Sequence, residues 1–167
     1  DLDGAGILHL KTLGYPVGPK SVQELKIIRS FMPSNPFIIK GIMTADDALR
    51  CRDAGVDCIV VSNHGGRVLD GTPGVAEVLP EIAKAVGNDI VILSDGAVRS
   101  GVDVLKYLAL GAKGVLVGRP LCWGVYGGGA EGVKLIIDTY TEQLKQAMIL
   151  TGCKDLSDIN SRILFGF

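Results

Sequence analysis

The run Ser62-Asn63-His64-Gly65-Gly66-Arg67 sets an imidazole and a guanidinium three positions apart, where the apolar stretch Cys58-Ile59-Val60-Val61 ends. Histidine is the side chain that exchanges a proton near neutral pH. Arginine can hold a carboxylate through two parallel hydrogen bonds. A base beside an anion clamp, on a turn loosened by two glycines, points to chemistry on a small acid.

Further groups of this kind follow other apolar runs. Asp95-Gly96-Ala97-Val98-Arg99-Ser100-Gly101 and Val117-Gly118-Arg119-Pro120 combine close-approach glycines with cations. Backbone N–H groups there could cradle a phosphate, with Arg99 and Arg119 supplying charge. Lys40 closes another apolar run, Phe37-Ile38-Ile39. It either snorkels to solvent or sets a fixed cation beside an electron-rich ring, stabilising an anion formed during reduction. Asp1 and Asp3 would share one face of a strand, and one of them could orient the His64 imidazole. The alternative is a frayed strand end. Gly127-Gly128-Gly129 reads as a connector, Trp123 and Tyr126 as packing groups, His9 as a loop or packing residue, and Asp70 and Arg52 as solvated charges.

Alternating elements must position these side chains. Val22, Leu25, Ile28 and Phe31 predict a helix over 21–31, and a strand follows at 37–40. Thr44 caps a helix through Ala54, and Asp57–Ser62 is a strand followed by a loop at 63–73. A helix at 74–86, a strand at 89–94, a helix at 101–110, a strand at 114–117 and a helix at about 131–150 complete the order. Residues 1–6 read as the tail of a strand whose beginning is missing. Continuously apolar strands, each followed by a helix, imply parallel pairing covered by helices. A doubly wound sheet and half of an eight-stranded barrel both fit, but no G-x-G-x-x-G follows the first strand. Polar groups after every strand favour a barrel, which gathers strand ends on one face. A complete barrel needs about 250 residues. The chain therefore reads as an α/β fold, the C-terminal half of a TIM (β/α)8 barrel, about strands 5–8 with the end of strand 4. We expect one partial domain over residues 1–167 that pairs with its missing N-terminal half or with a copy of itself.

Bulk properties narrow the function classes. Of 167 residues, 47% are hydrophobic and mean hydropathy is +0.35, enough for a real core. A net charge of −1 and an aromatic share of 5% argue against nucleic acid as partner. There is no run of about 18 apolar residues and no basic-then-apolar leader, so no membrane segment is expected. Cys51, Cys58, Cys122 and Cys153 have neither metal-ligand nor disulfide-framework spacing. They read as reduced, buried thiols of a cytoplasmic protein, and no metal is expected.

Taken together, these segments resemble the FMN-dependent α-hydroxy-acid oxidase and dehydrogenase family, which includes glycolate oxidase, lactate oxidase and the flavin domain of flavocytochrome b2. The matching text is Ile38-Ile39-Lys40-Gly41, Val61 to Arg67, Ser94 to Val104, Ala109 to Ala112 and Val117 to Pro120, within about residues 35–155. The resemblance implies a barrel holding FMN and oxidising a small L-2-hydroxy acid to the 2-keto acid, with a hydride equivalent passing to flavin N5. By the family pattern His64 is the base and Arg67 holds the substrate carboxylate. Lys40 faces the flavin N1 and C2 carbonyl edge, and Ser62 lies near the ring. Asp95 meets the ribityl hydroxyls, and Gly96, Ala97, Arg99, Gly118 and Arg119 hold the phosphate. Asp3 matches the acid that partners the histidine. A homo-oligomer is expected, and the family supplies a flavin-stacking segment and a substrate tyrosine from the first half of the barrel. Three residues depart from its pattern: Ala97 replaces a glycine, Val68 a glutamine and Asp1 a threonine. The alternatives are another FMN- or phosphate-binding barrel, an isomerase or a different dehydrogenase, and a catalytically incomplete half-barrel.

Overall fold

In the computed structural model, which describes residues 1–6 and 8–166, serine and threonine side-chain caps fix where three of the helices begin. A short helix α1, Leu8–Thr12, precedes α2, Val22–Phe31. Ser21 Oγ accepts from Glu24 N at 3.2 Å, while Glu24 Oε2 accepts from Ser21 N at 2.7 Å. That reciprocal pair satisfies two N–H groups with no partner inside the helix. Thr44 caps α3, Ala45–Asp53, by accepting from Asp47 N at 3.1 Å. Helix α4 is Val75–Val86 and α5 is Gly101–Ala109, the latter capped by Ser100. The strands are β1 Ile38–Ile42, β2 Cys58–Val61, β3 Val91–Ser94 and β4 Gly114–Val115.

The chain divides into two compact units, Asp1–Gly96 and Ala97–Phe167. In the first, β2 pairs in parallel with β1 on one side and β3 on the other. All four β2 residues are buried, as a central parallel strand requires when both faces are covered. Ile39 and Ile42 of β1, Ala48 and Cys51 of α3, Leu79 and Ile82 of α4 and Ile92 of β3 complete this core. Asp57, which no motif marked, fixes the start of the sheet. Its Oδ2 accepts from Phe37 N at 2.7 Å and lies 3.2 Å from Arg29 Nη1. The β1–β2 register slips between Lys40 and Ile42, so Gly41 is an extra residue in β1. Its φ of 99° is open to glycine and strained for anything else.

In the second unit, Leu105 and Ala109 of α5 pack with Ala147, Cys153 and Ile159. Ala147 belongs to α6, Arg119–Leu150. Gly101 lies so close to α6 that a Cβ there would sit 2.1 Å from Tyr140 O and 2.3 Å from Leu144 N. Gly101 N also donates to Gln143 Oε1 at 2.9 Å.

Several expectations need correction. Residues 3–6 form a 3-10 turn rather than a strand tail, although Leu2 N still reaches Lys40 O at 2.8 Å. His9 sits exposed on α1 rather than in a loop. The loop at 63–73 contains a 3-10 turn, His64–Gly66. Strand β4 is two residues long, not four. Element α6 holds the expected final helix to Leu150 and, before it, an unexpected helical stretch from Arg119, where Pro120 suits a first turn. It breaks within the glycine run, at Gly128 (φ −162°) and Gly129 (φ 56°). Trp123 and Tyr126 are exposed, Tyr126 to 93%, so they do not pack into this chain's core. Cys51, Cys58 and Cys153 are buried free thiols, but Cys122 is exposed. Arg52 is not merely solvated: it pairs with Asp53 at 2.8 Å and Asp89 at 3.4 Å. Among the described residues no helix is long and apolar enough to cross a membrane.

Candidate active site

The site in the first unit is built where β1, β2 and β3 end. Ser62, directly after β2, is fully buried, and its hydroxyl is the hub. Ser62 Oγ accepts from Lys40 Nζ at 2.9 Å and from the His64 backbone N–H at 3.1 Å. One hydroxyl thereby ties the lysine of β1 to the turn that carries the histidine. Both acceptor positions of this buried hydroxyl are thereby filled.

That turn has an unusual backbone. His64, Gly65 and Gly66 have φ of 57°, 70° and 75°, three consecutive left-handed residues. Glycine enters this region freely, and histidine is among the few other residues enriched in it. Asn63 holds the turn by accepting from Gly66 N at 3.2 Å and donating to Pro73 O at 3.2 Å. The result swings the His64 ring back toward the N-terminal turn. There Asp3 Oδ2 lies 3.0 Å from His64 Nδ1, with the two side chains 13% and 17% exposed. Arg67 is fixed to the same turn through Nε, which donates to His64 O at 3.1 Å. Its residue is exposed, so the guanidinium keeps donors for another partner.

Lys40 faces acid on two sides. Asp95 Oδ2 stands 3.4 Å from its ammonium, and Asp1 Oδ1 stands 4.0 Å away. Asp1, Asp3 and His64 also bring metal-type donor atoms within 4.8 Å of one another. The Lys40 ammonium already supplies a cation beside that group. Among the described residues, three side-chain polar atoms are buried without a hydrogen-bond partner: Asp3 Oδ1, Ser94 Oγ and Asp95 Oδ1. A buried carboxylate oxygen with no donor costs free energy unless something else supplies one. Asp95 Oδ1 is therefore a shielded acceptor with no donor of its own.

The remaining residues of interest lie in the second unit. Ala97 has φ of 53°, so the residue in this glycine position does adopt a glycine-like backbone. Arg99 precedes the α5 cap. Its backbone N–H donates to Asp103 Oδ2 at 2.9 Å, and its guanidinium lies 5.3 Å from the Trp123 ring centroid. Cation–π contact of this kind holds a guanidinium plane without consuming its donors. Gly118 caps α6 with open space beyond its Cα, and exposed Arg119 starts that helix.

Lys40, Ser62, His64, Asp3 and Asp95 are thus linked in one network, with Arg67 attached through the His64 carbonyl. Arg99, Gly118 and Arg119 belong to the other unit. Sequence reading passed over Gly41 and the buried Ser94. A glycine inside a strand signals a bulge or a close backbone approach, and that signal was available for Gly41. Nearby thiols play no part in this network. Burial, with some repulsion from Asp47, pushes Cys51 up to about 11, and burial likewise raises Cys58.

Comparison with known proteins gives a consistent picture. Residues 16–165 match the FMN-dependent dehydrogenase family. The L-lactate dehydrogenase of Caulobacter vibrioides (strain NA1000 / CB15N) is 46% identical over 141 residues, covering 84% of this chain and 37% of the relative. The 2-hydroxyacid oxidase 1 of Mus musculus is 46% identical over 133 residues, covering 80% and 36%. A crystal structure of mandelate oxidase superposes with a TM-score of 0.81 at 42% identity, covering 86% of this chain and 41% of that one. The chain thus spans roughly two-fifths of the length of these proteins. Its parallel strand–helix repeat is the C-terminal half of a TIM barrel.

Proposed function

We propose, from the premise that this chain belongs to the FMN-dependent dehydrogenase family, that the whole protein oxidises a small L-2-hydroxy acid to its 2-keto acid. Residues 1–167 would be one part of a single FMN-binding barrel domain, completed by an N-terminal half. The contact between His64 Nδ1 and Asp3 Oδ2, 3.0 Å long and largely shielded from water, carries the reading. With Nδ1–H donating to Asp3, the Nε2 lone pair is left free to accept a proton.

The residues present suit FMN. Lys40 offers a cation, the orphaned Asp95 Oδ1 offers an acceptor for a ribityl hydroxyl, and Ser62 lines the same end of the sheet. Gly96, Ala97, Arg99, Gly118 and Arg119 would hold the phosphate by backbone N–H groups and charge. FMN supplies the acceptor for a hydride equivalent, two electrons from the substrate Cα. Every other step belongs to side chains. Arg67 holds the substrate carboxylate bidentately and so fixes which face of Cα is presented. His64 Nε2 takes the proton released as the alcohol becomes a ketone, and Asp3 stabilises the resulting imidazolium. Lys40 stabilises negative charge that accumulates beside it during reduction.

His64→Ala in the complete protein should lower turnover by about 10²–10⁴-fold, the usual contribution of a positioned base, while flavin absorbance is retained. Anaerobic mixing with a panel of 2-hydroxy acids should bleach the wild-type flavin. Undiminished turnover in the variant, or no bleaching by any acid in the panel, overturns the reading.

A further inference from the structure

We propose that Gly41 is a positioning residue for the His64 base, acting through Asp3. The inference rests on the reading of His64 just given. Asp3 is anchored by few side-chain bonds for a largely shielded carboxylate: Oδ2 meets His64, and buried Oδ1 has no hydrogen-bond partner. What keeps it in place is shape. The missing Cβ of Gly41 is the space its carboxylate fills. An added Cβ would lie 2.6 Å from Asp3 Cγ, 2.7 Å from Oδ1 and 2.8 Å from Asp3 Cβ. Ordinary contact begins near 3.4 Å, so a side chain at position 41 must drive the carboxylate away by close to an ångström.

The surrounding backbone leaves the carboxylate little room to yield. Leu2 N donates to Lys40 O at 2.8 Å, which docks the segment on β1 one residue before Gly41. At the other end of the 3-10 turn, an added Cβ on Gly6 would lie 2.5 Å from Val68 Cγ1. The Asp3–Gly6 turn is therefore wedged at both ends. The bulge in β1 has a consequence beyond re-aiming a strand: it opens the seat from which Asp3 reaches the imidazole. Moving a catalytic partner by about 1 Å costs rate on the order of 10²-fold.

The test uses the complete, FMN-loaded protein. Gly41→Ala should lower kcat by about 10²-fold and leave KM for the hydroxy acid within about twofold, because Arg67 is untouched. Asp3→Gly removes the obstructed side chain and should lower kcat by itself. Added to that background, Gly41→Ala should lower kcat no further, since nothing is left to displace. Some stability will still be lost there, because alanine is strained at a φ of 99°. The proposal is overturned if Gly41→Ala keeps near-normal kcat, or if its effect on kcat is the same with and without Asp3. Should Gly41→Ala alone fail to fold, recovery of folded protein in the Asp3→Gly, Gly41→Ala pair supports the seat, and failure of the pair overturns it. His64→Ala separates the two readings. If that variant turns over normally, the base assignment falls; if it is inactive while Gly41→Ala is normal, only the role of Gly41 falls.

Discussion

Gly101→Ala pits two effects of opposite sign against each other at the start of α5. Helix propensity alone favours alanine over glycine by up to about 1 kcal/mol. Packing opposes it. The new Cβ would sit 2.1 Å from Tyr140 O and 2.3 Å from Leu144 N, both rigid backbone atoms of α6. Restoring contact to 3.4 Å means opening the α5–α6 crossing locally by more than an ångström. Overpacking on this scale costs about 1–3 kcal/mol. Separation would also stretch the 2.9 Å bond from Gly101 N to Gln143 Oε1, a further loss of about 0.5–1.5 kcal/mol. The steric side wins, leaving a net destabilisation of about 2–3 kcal/mol. Urea titration of the complete protein should show a lower midpoint at unchanged slope. Flavin should also be released at lower urea, because Arg99 lies two residues upstream in the same segment. Gln143→Ala, which removes only the hydrogen bond, should lose less than half as much. An unchanged or higher midpoint for Gly101→Ala would refute the argument from close helix approach.

Two further outcomes follow from backbone and burial. Ala97 holds φ at 53°, where a Cβ costs about 1–2 kcal/mol. Ala97→Gly should therefore raise thermal stability by up to about 1 kcal/mol after the entropy of the freer unfolded glycine is subtracted, measured as a higher Tm. Cys51 is buried with its thiol raised to about 11, whereas Cys122 is exposed. At pH 8 a thiol reagent should label Cys122 quickly and Cys51 only on unfolding, as mass spectrometry of digested protein would show. Because the folded Cys51 value lies above the unfolded value of 9.0, its protonated form is bound more tightly in the fold. The corresponding stability is intact below pH 9, and roughly 2–3 kcal/mol of it is lost as pH rises toward 11. Cys51→Ala should flatten that alkaline limb.

The parts of the fold that were legible in sequence are those set by local chemistry. Ser21 and Thr44 each stand at the start of a predicted helix, and each caps the helix that follows. The apolar stretch 58–61 could only be a buried strand, and it is one. The parts that were not legible depend on distant partners. Residues 1–6 alternate like a strand, but Asp3 is pulled into a turn by its fit against Gly41 and His64. The helical stretch from Arg119 to the break at Gly128 contains Gly124 and Gly127, whose low helix propensity hid it in the sequence. At the site, residue types and order announced Lys40, His64, Arg67 and Asp95. The way Ser62 links the first two to each other needed coordinates, because one buried hydroxyl serving two donors leaves no trace in spacing.

The handedness of the His64 turn restricts what could ever occupy that position. Branched and bulky side chains are excluded by the main chain before any chemistry is considered. Glycine, asparagine, aspartate and histidine are the residues most enriched in such a conformation. Of these four, histidine is the one offering both an N–H for a neighbouring acid and a second nitrogen that accepts a proton. The backbone therefore screens the alphabet first, and the reaction has almost nothing left to choose.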